Sequence, residues 1–460
     1  VIQSKKEGAV WQRQLQPVCF QKDVNQDEMQ LLMIYSDVQY QEIKGFGGAL
    51  TQAAAFCFDR LDEAHKQEFL KLCFSEEGLA YNAGRTHIGS CDFSFGNFNY
   101  CKEKDETLDS FSLACDEDYL LPLIKRVTDY CGESFSILAS PWSPPAWMKT
   151  NDSMLQGGAL KEEYYPLFAE YLARYLVEYE KRGVPVDRIT IQNEPKATQK
   201  WESCLYSAEQ ERRFICDHLY PKFQQLGIQT KIIIWDHNKE RVFTRARSIL
   251  SDSRAREIVS GIAFHWYSGD HFENLRLCRE FFPDKELIFT EGCVELTTTT
   301  TSMAEKAAQS GGQKADVEHS PWEFGECYAH DMIGNFNNGM SMFLDWNIAL
   351  DMQGGPNHVG NYCSAPVICD TQNQKLYLQP AYYFIGHFSR FVPTGSKRIA
   401  YSSYGNDLMV SAFITPEQKK VIVVLNKAER GVPFKLKDEA SDQIASLTAS
   451  AKSIMTLIYD

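Results

Sequence analysis

No stretch of about 18 consecutive apolar residues occurs in this 460-residue chain, so the sequence predicts no membrane-spanning helix. Nor is there an excess of basic charge. The 47 Lys and Arg stand against 61 Asp and Glu, a formal net charge of −14. That excludes a surface built to neutralise nucleic-acid phosphates and suits a neutral substrate better. The 14 cysteines show no CxxC spacing for zinc or redox chemistry, the narrowest interval being the six positions from Cys363 to Cys369. The opening Val1-Ile2-Gln3-Ser4-Lys5-Lys6 lacks the apolar core of a signal peptide. Only Cys19 falls in the first 50 residues, so no disulfide can form within them. Cys57, Cys73 and Cys131 sit in apolar helical patterns, where a thiol packs as a small hydrophobe. These features lead to the expectation of a reducing compartment and of a cytoplasmic, bacterial-type rather than a secreted protein. No convincing metal-ligand set appears around Asp270 and His271, and neither a metal nor a cofactor is expected. The oligomeric state stays open.

What is present is an ordinary globular composition, 44% hydrophobic and 23% charged, with a generous 13% of aromatic residues. The length exceeds the limit of about 250–300 residues for one hydrophobic core, which predicts a large domain with a smaller companion. From about Phe46 to Phe391, short apolar runs alternate with amphipathic segments, the pattern of repeated βα units. Eight strands are expected: Gly45–Ala49, Tyr81–His87, Ser134–Ser140, Arg188–Asn193, Lys231–Asp236, Gly261–Trp266, Glu286–Thr290 and Ser341–Trp346. Between them Leu167, Phe168, Tyr171, Leu172, Tyr175, Leu176 and Tyr179 form a helical stripe that ends before Gly183. Ser207-Ala208-Glu209-Gln210 has a capping-box pattern, predicting a helix from there toward Leu226 and Gly227. After Val392-Pro393-Thr394-Gly395 the texture changes to short alternating strands such as Leu408–Ala412 and Lys420–Leu425, and Gln30–Tyr35 reads the same way. The expected fold is therefore α/β: a (β/α)8 barrel over 45–392, flanked by an all-β sandwich built from residues 1–44 and 393–460.

Two carboxylates stand at strand ends: Glu194 in Ile191-Gln192-Asn193-Glu194-Pro195 and Glu291 in Ile288-Phe289-Thr290-Glu291-Gly292. A strand end in such a barrel meets the rim where catalytic groups gather. One isolated Glu in that setting is more often a solvated charge. Two in matching settings point to glycoside hydrolysis, in which one carboxyl protonates the leaving oxygen and a second attacks the sugar or activates water. Other strand ends carry sugar-compatible groups: Asp92 can accept from hydroxyls, and Trp142 and Tyr267 offer aromatic faces. The Thr-rich segment from Thr297 to Gly312 reads as a flexible loop at the rim.

The ordered series Gly45-Phe46-Gly47-Gly48-Ala49-Leu50-Thr51, Ser90-Cys91-Asp92-Phe93-Ser94, Ser140-Pro141-Trp142-Ser143-Pro144-Pro145-Ala146-Trp147, Asn193-Glu194-Pro195, His265-Trp266-Tyr267 and Leu344-Asp345-Trp346-Asn347 resembles glycoside hydrolase family 30, on its glucosylceramidase branch. The resemblance runs from about Gly45 into the C-terminal strands. It implies a barrel with a flanking sandwich and a retaining mechanism on a β-linked glycoside, with Glu194 as acid/base and Glu291 as nucleophile. In such a site the carboxyls stand about 5–5.5 Å apart, and like-charge proximity is expected to keep Glu194 protonated. The resemblance further implies that Asp92, Trp142, Asn193 and Trp346 hold the sugar, with Arg85, Tyr267 and Asn361 in or beside this shell. Arg85 either orients a carboxylate or forms a structural salt bridge, and His237 and His265 read as hydrogen-bonding support. Two segments depart from the branch: Lys196 to Cys204, where Trp201 and Glu202 are expected to shape the leaving-group side, and the Thr-rich segment. A polar rim there favours a sugar or soluble leaving group over a lipid. An exo-acting β-glucosidase is the expected activity, with β-xylosidase or β-fucosidase as alternatives and a catalytically silent carbohydrate-binding barrel as the non-enzyme alternative.

Overall fold

The computed structural model describes residues 1–6, 12–13, 18–24, 28–297, 320–441 and 443–460. Eight parallel strands close into a barrel in which each pairs with the next in sequence: β1 Gly45–Ala49, β2 Ala83–Ile88, β3 Ser136–Pro141, β4 Arg188–Thr190, β5 Lys231–Asn238, β6 Val259–His265, β7 Glu286–Glu291 and β8 Met342–Asp345. β8 returns to pair with β1, Met342 facing Gly45 and Asp345 facing Gly48. Side chains alternate across this wall. Ala83, Leu138, Ile233, Ala263, Ile288 and Met342 pack together as a small separate cluster, while Ile232, Ile262 and Leu287, one position away, join the large core under the helices.

All eight expected strands are present, with shifts at their ends that have local causes. β3 starts two residues late because Gly132–Ser134 forms a 3₁₀ turn. β4 stops at Thr190, short of Asn193, although the chain beyond it still bonds to the flanking strands β3 and β5: Asn193 N–H donates to the Pro141 carbonyl at 2.8 Å and Glu194 N–H to the Asp236 carbonyl at 2.9 Å. The aromatic stripe forms the helix Tyr165–Lys181, and Gly183 at φ +78° turns the chain out of it. At Ser207 the capping box is complete, the hydroxyl accepting from Gln210 N–H at 3.0 Å and the Gln210 side chain accepting from Ser207 N–H at 2.8 Å. The helix that follows is not uniform. A wide π segment, Phe214–Leu219, separates Ala208–Arg213 from Tyr220–Leu226, just ahead of Pro221, which has no amide proton to give the preceding turn.

The companion domain is the expected β-sandwich, drawn from both ends of the chain. Ile2–Lys5 pairs antiparallel with Ser453–Tyr459. Leu31–Glu42 lies between Lys397–Ser403, antiparallel, and Val432–Asp438, parallel. Met409–Ile414 and Lys420–Asn426 continue the sheet. Leu32, Ile34, Val410, Ile422, Phe434 and Met455 fill its own core. His387 on the barrel-side helix Pro380–Ser389 fastens the two parts, with Nδ1 2.8 Å from Thr456 Oγ1 and Nε2 3.0 Å from Ser4 Oγ. Among the described residues no helix is long and apolar enough to cross a membrane. The Thr-rich segment lies, after Thr297, outside the described residues.

One element was not anticipated. Behind β8 a small sheet of Ala349–Asp351, Val367–Asp370 and Lys375–Leu378 spans the loop that carries Asn357, Asn361 and Cys363 back over the barrel mouth.

Candidate active site

A cavity of about 500 Å³ opens at the C-terminal rim of the barrel strands, and both strand-end glutamates line it. Asp92, Trp142, Asn193, Trp201, Tyr267, Trp346 and Asn361 line it as well. These come from at least six different strand ends or the loops that follow them, so convergence is a property of the closed barrel and not of sequence proximity. Trp142 and Trp346 stack with ring centroids 5.4 Å apart, giving the cavity an aromatic wall. Asp92 accepts from Asn357 Nδ2 and Asn361 Nδ2, each at 3.4 Å. Its carboxyl is pushed well above the usual range by burial and by the charge of Glu291, against the pull of those two amides.

Arg85 on β2 is fully buried beneath this floor, where it both orients a carboxylate and forms a structural ion pair, with Glu291 and Asp236. Its Nη1 donates to Glu291 Oε2 at 2.5 Å, and Nη2 donates to Asn193 Oδ1 at 2.8 Å and Asp236 Oδ2 at 2.9 Å. One guanidinium thus fixes residues of β5 and β7 and of the loop that follows β4. Tyr267 completes the hold on Glu291, its hydroxyl donating to Oε1 at 3.0 Å. With both carboxylate oxygens engaged by donors, the Glu291 group has a set orientation and a matching cation.

Glu194 is surrounded differently. Its Oε1 is 3.1 Å from His265 Nδ1 and 3.3 Å from His237 Nδ1, the latter within ion-pair range but off the hydrogen-bond direction. Burial would raise this carboxyl, but the charge of His237 and the contacts of both imidazoles reverse the effect and hold it below the ordinary carboxylate range. The expectation that Glu194 is kept protonated is therefore corrected: the two imidazoles against its oxygen outweigh the effect of burial. His265 moves the other way. Burial lowers it, yet Glu291, Asp236 and Glu194 together raise it to about 9.

Asp236 was missed as a site residue, although Ile232-Ile233-Ile234-Trp235-Asp236 has the same form as the runs that end in the two glutamates. It accepts from Arg85, His265, Ser140, Thr190 and Thr290, the last two at 2.7 and 2.6 Å. Arg85 and His265 keep it ionised against the cost of complete burial. The backbone here is strained: Glu194, Trp235 and Asp236 have φ of +47°, +77° and +54°. Such conformations cost about 1–3 kcal/mol each in a non-glycine residue and persist where surrounding contacts enforce them. Gly292 meets a different demand, since a Cβ there would stand 2.4 Å from Phe289 Cζ and 2.9 Å from the Trp266 ring.

On the outer side the cavity is lined by Gln199, Lys200, Trp201, Asn238 and Glu295. Glu295 was not singled out in the sequence; burial and the two nearby glutamates raise its carboxyl to about 7. Glu202 does not line the cavity. It is buried behind the wall, accepting from Asn97 Nδ2 at 2.7 Å, with His358 Nε2 3.6 Å away. Its place next to Trp201 misled the sequence reading, because alternate residues of an extended segment face opposite ways.

The TIM-barrel domain of glycosyl hydrolase family 30 matches residues 43–392, and the β-sandwich domain of the same family matches 395–457. The chain belongs to glycosyl hydrolase family 30. It is 33% identical over 422 residues to the lysosomal acid glucosylceramidase of Mus musculus, covering 89% of this chain and 79% of that protein. Among solved structures, this family 30 chain is similar to SrfJ from Salmonella typhimurium, with a TM-score of 0.88, 36% identity, and coverage of 96% and 95% of the two chains. It is also similar to the endo-β1,6-glucanase BT3312, with a TM-score of 0.83, 25% identity, and coverage of 100% and 98%. As a family 30 protein it is a glycoside hydrolase, and the retaining mechanism is general for the family.

Proposed function

We propose that this family 30 enzyme is an exo-acting β-glycosidase that hydrolyses β-glucosides through a covalent glycosyl-enzyme, with Glu291 as nucleophile and Glu194 as acid/base. The observation that carries the assignment of roles is the contrast between the two carboxylates. Glu291 has both oxygens engaged, by Arg85 and Tyr267, and a fixed cation beside it, which suits a group that must stay ionised and attack. Glu194 has imidazoles against one oxygen, which suits a group that must gain and lose a proton. In this reading Glu291 attacks the anomeric carbon while the proton held by the Glu194–His265 pair passes through Glu194 to the leaving oxygen. Glu194 then takes a proton from the water that releases the sugar, and the proton returns to the pair.

Asp92, Asn193 and Asn361 supply hydrogen bonds to the sugar, and Trp142 and Trp346 supply its apolar wall. A cavity of about 500 Å³ at the barrel mouth, the size of a small-ligand pocket, supports attack at a chain end. The relatives include proteins named both as a glucosylceramidase and as an endo-glucanase. The leaving-group side of this chain, with Gln199, Lys200, Trp201 and Glu295, is polar with one half-buried indole, and this supports a sugar or another soluble alcohol as the leaving group.

Replacing Glu194 and Glu291 singly by Ala and assaying an activated aryl β-glucoside tests the roles. Losses of about 100-fold or more are expected for each; retention of activity within tenfold by both would sink the assignment. A panel of aryl glucosides, xylosides and fucosides reads the preferred sugar, with glucose expected to lead.

A further inference from the structure

Three donor atoms of different side chains converge at one point of the cavity wall. Glu194 Oε1 lies 3.1 Å from His265 Nδ1 and 3.3 Å from His237 Nδ1, and all three atoms fall within 4.8 Å of one another. Ligand atoms bound at about 2.0–2.1 Å to a tetrahedral Zn²⁺ stand about 3.3 Å apart, so two edges of such a site already have the required length. His237 adds an independent sign. It is 8% exposed, and its Nδ1 finds no hydrogen-bond partner among the described residues although it is turned toward the Glu194 oxygen. A buried ring nitrogen with no hydrogen-bond partner, turned to the same oxygen, is a ligand position open to an ion that displaces any proton it carries. Behind His265, Asp236 Oδ1 is 3.1 Å from Nε2, the carboxylate–imidazole arrangement that fixes a metal-bound histidine with its other nitrogen pointing forward. Three protein donors leave the fourth position of a tetrahedron facing the cavity.

We propose that Glu194, His237 and His265 form an inhibitory binding site for a divalent ion of the zinc type. The ion occupies the oxygen lone pair that would otherwise carry the catalytic proton, and its binding releases the proton from His265. That the ion inhibits rests on the role given to Glu194 above; that it binds does not.

Calorimetry with Zn²⁺ and absorption spectroscopy with Co²⁺ on the intact chain read binding, and hydrolysis of an aryl β-glucoside with Zn²⁺ and then a chelator reads its consequence. One ion per chain is expected, with visible Co²⁺ bands of a low-coordinate nitrogen and oxygen site and with inhibition that is competitive and reversed by the chelator. His237→Gln is expected to weaken Zn²⁺ affinity about 10- to 100-fold, by analogy with the loss of supporting groups at metal sites. Glu194→Gln removes the shared ligand and provides a second variant if the first fails to fold. The proposal is overturned if Zn²⁺ does not bind or if both variants bind it as tightly as the parent chain. It is also overturned if Co²⁺ shows a thiolate band that Cys293→Ser with Cys363→Ser abolishes, because those two sulfurs lie 3.1 Å apart in the same cavity wall. Tight binding at the proposed ligands without inhibition would instead overturn the role of Glu194.

Discussion

Arg85→Gln offers the sharpest test of how the cavity floor is held. The guanidinium is wholly buried and donates to Glu291, Asn193, Asp236 and Ser140 at 2.5, 2.8, 2.9 and 3.3 Å. Removing it leaves two buried carboxylates without their cation, a change that costs about 3–5 kcal/mol when one partner of a buried pair is lost. Asp236 keeps its three hydroxyl donors and His265, so the lower half of that range is expected. For a chain of this length about 3 kcal/mol corresponds to a fall in Tm of roughly 3 °C. Activity should fall further than stability suggests. Glu291 would retain only the Tyr267 hydroxyl, and misplacement of a reacting group by about 1 Å costs about 100-fold. Arg85→Lys separates charge from geometry. An ammonium restores a cation but cannot donate to Glu291, Asn193 and Asp236 together, so it should recover most of the Tm and little of kcat. Differential scanning calorimetry and steady-state hydrolysis of an aryl β-glucoside make the measurement. Arg85→Gln with Tm within 1 °C and kcat/KM within threefold of the parent would refute the reasoning.

Three further outcomes are expected. His387 is buried between two hydroxyls, and burial lowers its value from 6.5 to about 3. Because its folded value lies below its unfolded one, its neutral form supports the fold fully above about pH 6.5 and that support is lost as pH falls toward 3. Denaturant titrations should show about 2 kcal/mol lost by pH 5, and His387→Gln should flatten this part of the pH profile; an unchanged slope would contradict it. Gly292→Ala forces a Cβ to within 2.4 Å of Phe289 and should destabilise by about 1–3 kcal/mol, read as a lowered Tm, whereas an unchanged melt would show that the ring can move aside. Trp201→Ala removes the one indole on the leaving-group side. It should reduce kcat/KM about tenfold for a disaccharide, the worth of about 1–1.5 kcal/mol of aromatic packing, while affecting a small alkyl β-glucoside by less than threefold.

The barrel was legible because its signal is repetitive: eight apolar runs separated by helical stripes and caps, each locally readable. The glutamates were legible because a carboxylate that ends an apolar strand breaks that pattern at a predictable place. Asp236 follows the same rule and was still missed, since its role depends on Arg85 of a strand three positions around the barrel and on His265 of the next one. The direction in which Glu194 titrates was misread for a related reason. Sequence shows that a second carboxylate is near, but the distances of His237 and His265 from one oxygen decide which charge wins. Glu202 shows the converse error, a charged residue assigned to the cavity by adjacency when the chain turns it inward. The π segment before Pro221 and the small sheet behind β8 carry no periodic signature of their own.

The sandwich contains strands from both ends of the chain, with Ile2–Lys5 laid against Ser453–Tyr459 and Leu31–Glu42 set between Lys397–Ser403 and Val432–Asp438. On a ribosome the first of these strands emerge more than 350 residues before the partners that cover their edges, as 397 against 42 shows. Through most of synthesis they are unpaired edges, exposed to pairing with other chains. The barrel between them must bring its own ends together before the sandwich can close. Ser453–Tyr459 is thus the strand that completes the pairing of Ile2–Lys5, and its emergence, more than any step inside the barrel, sets the earliest moment at which the sandwich can be native.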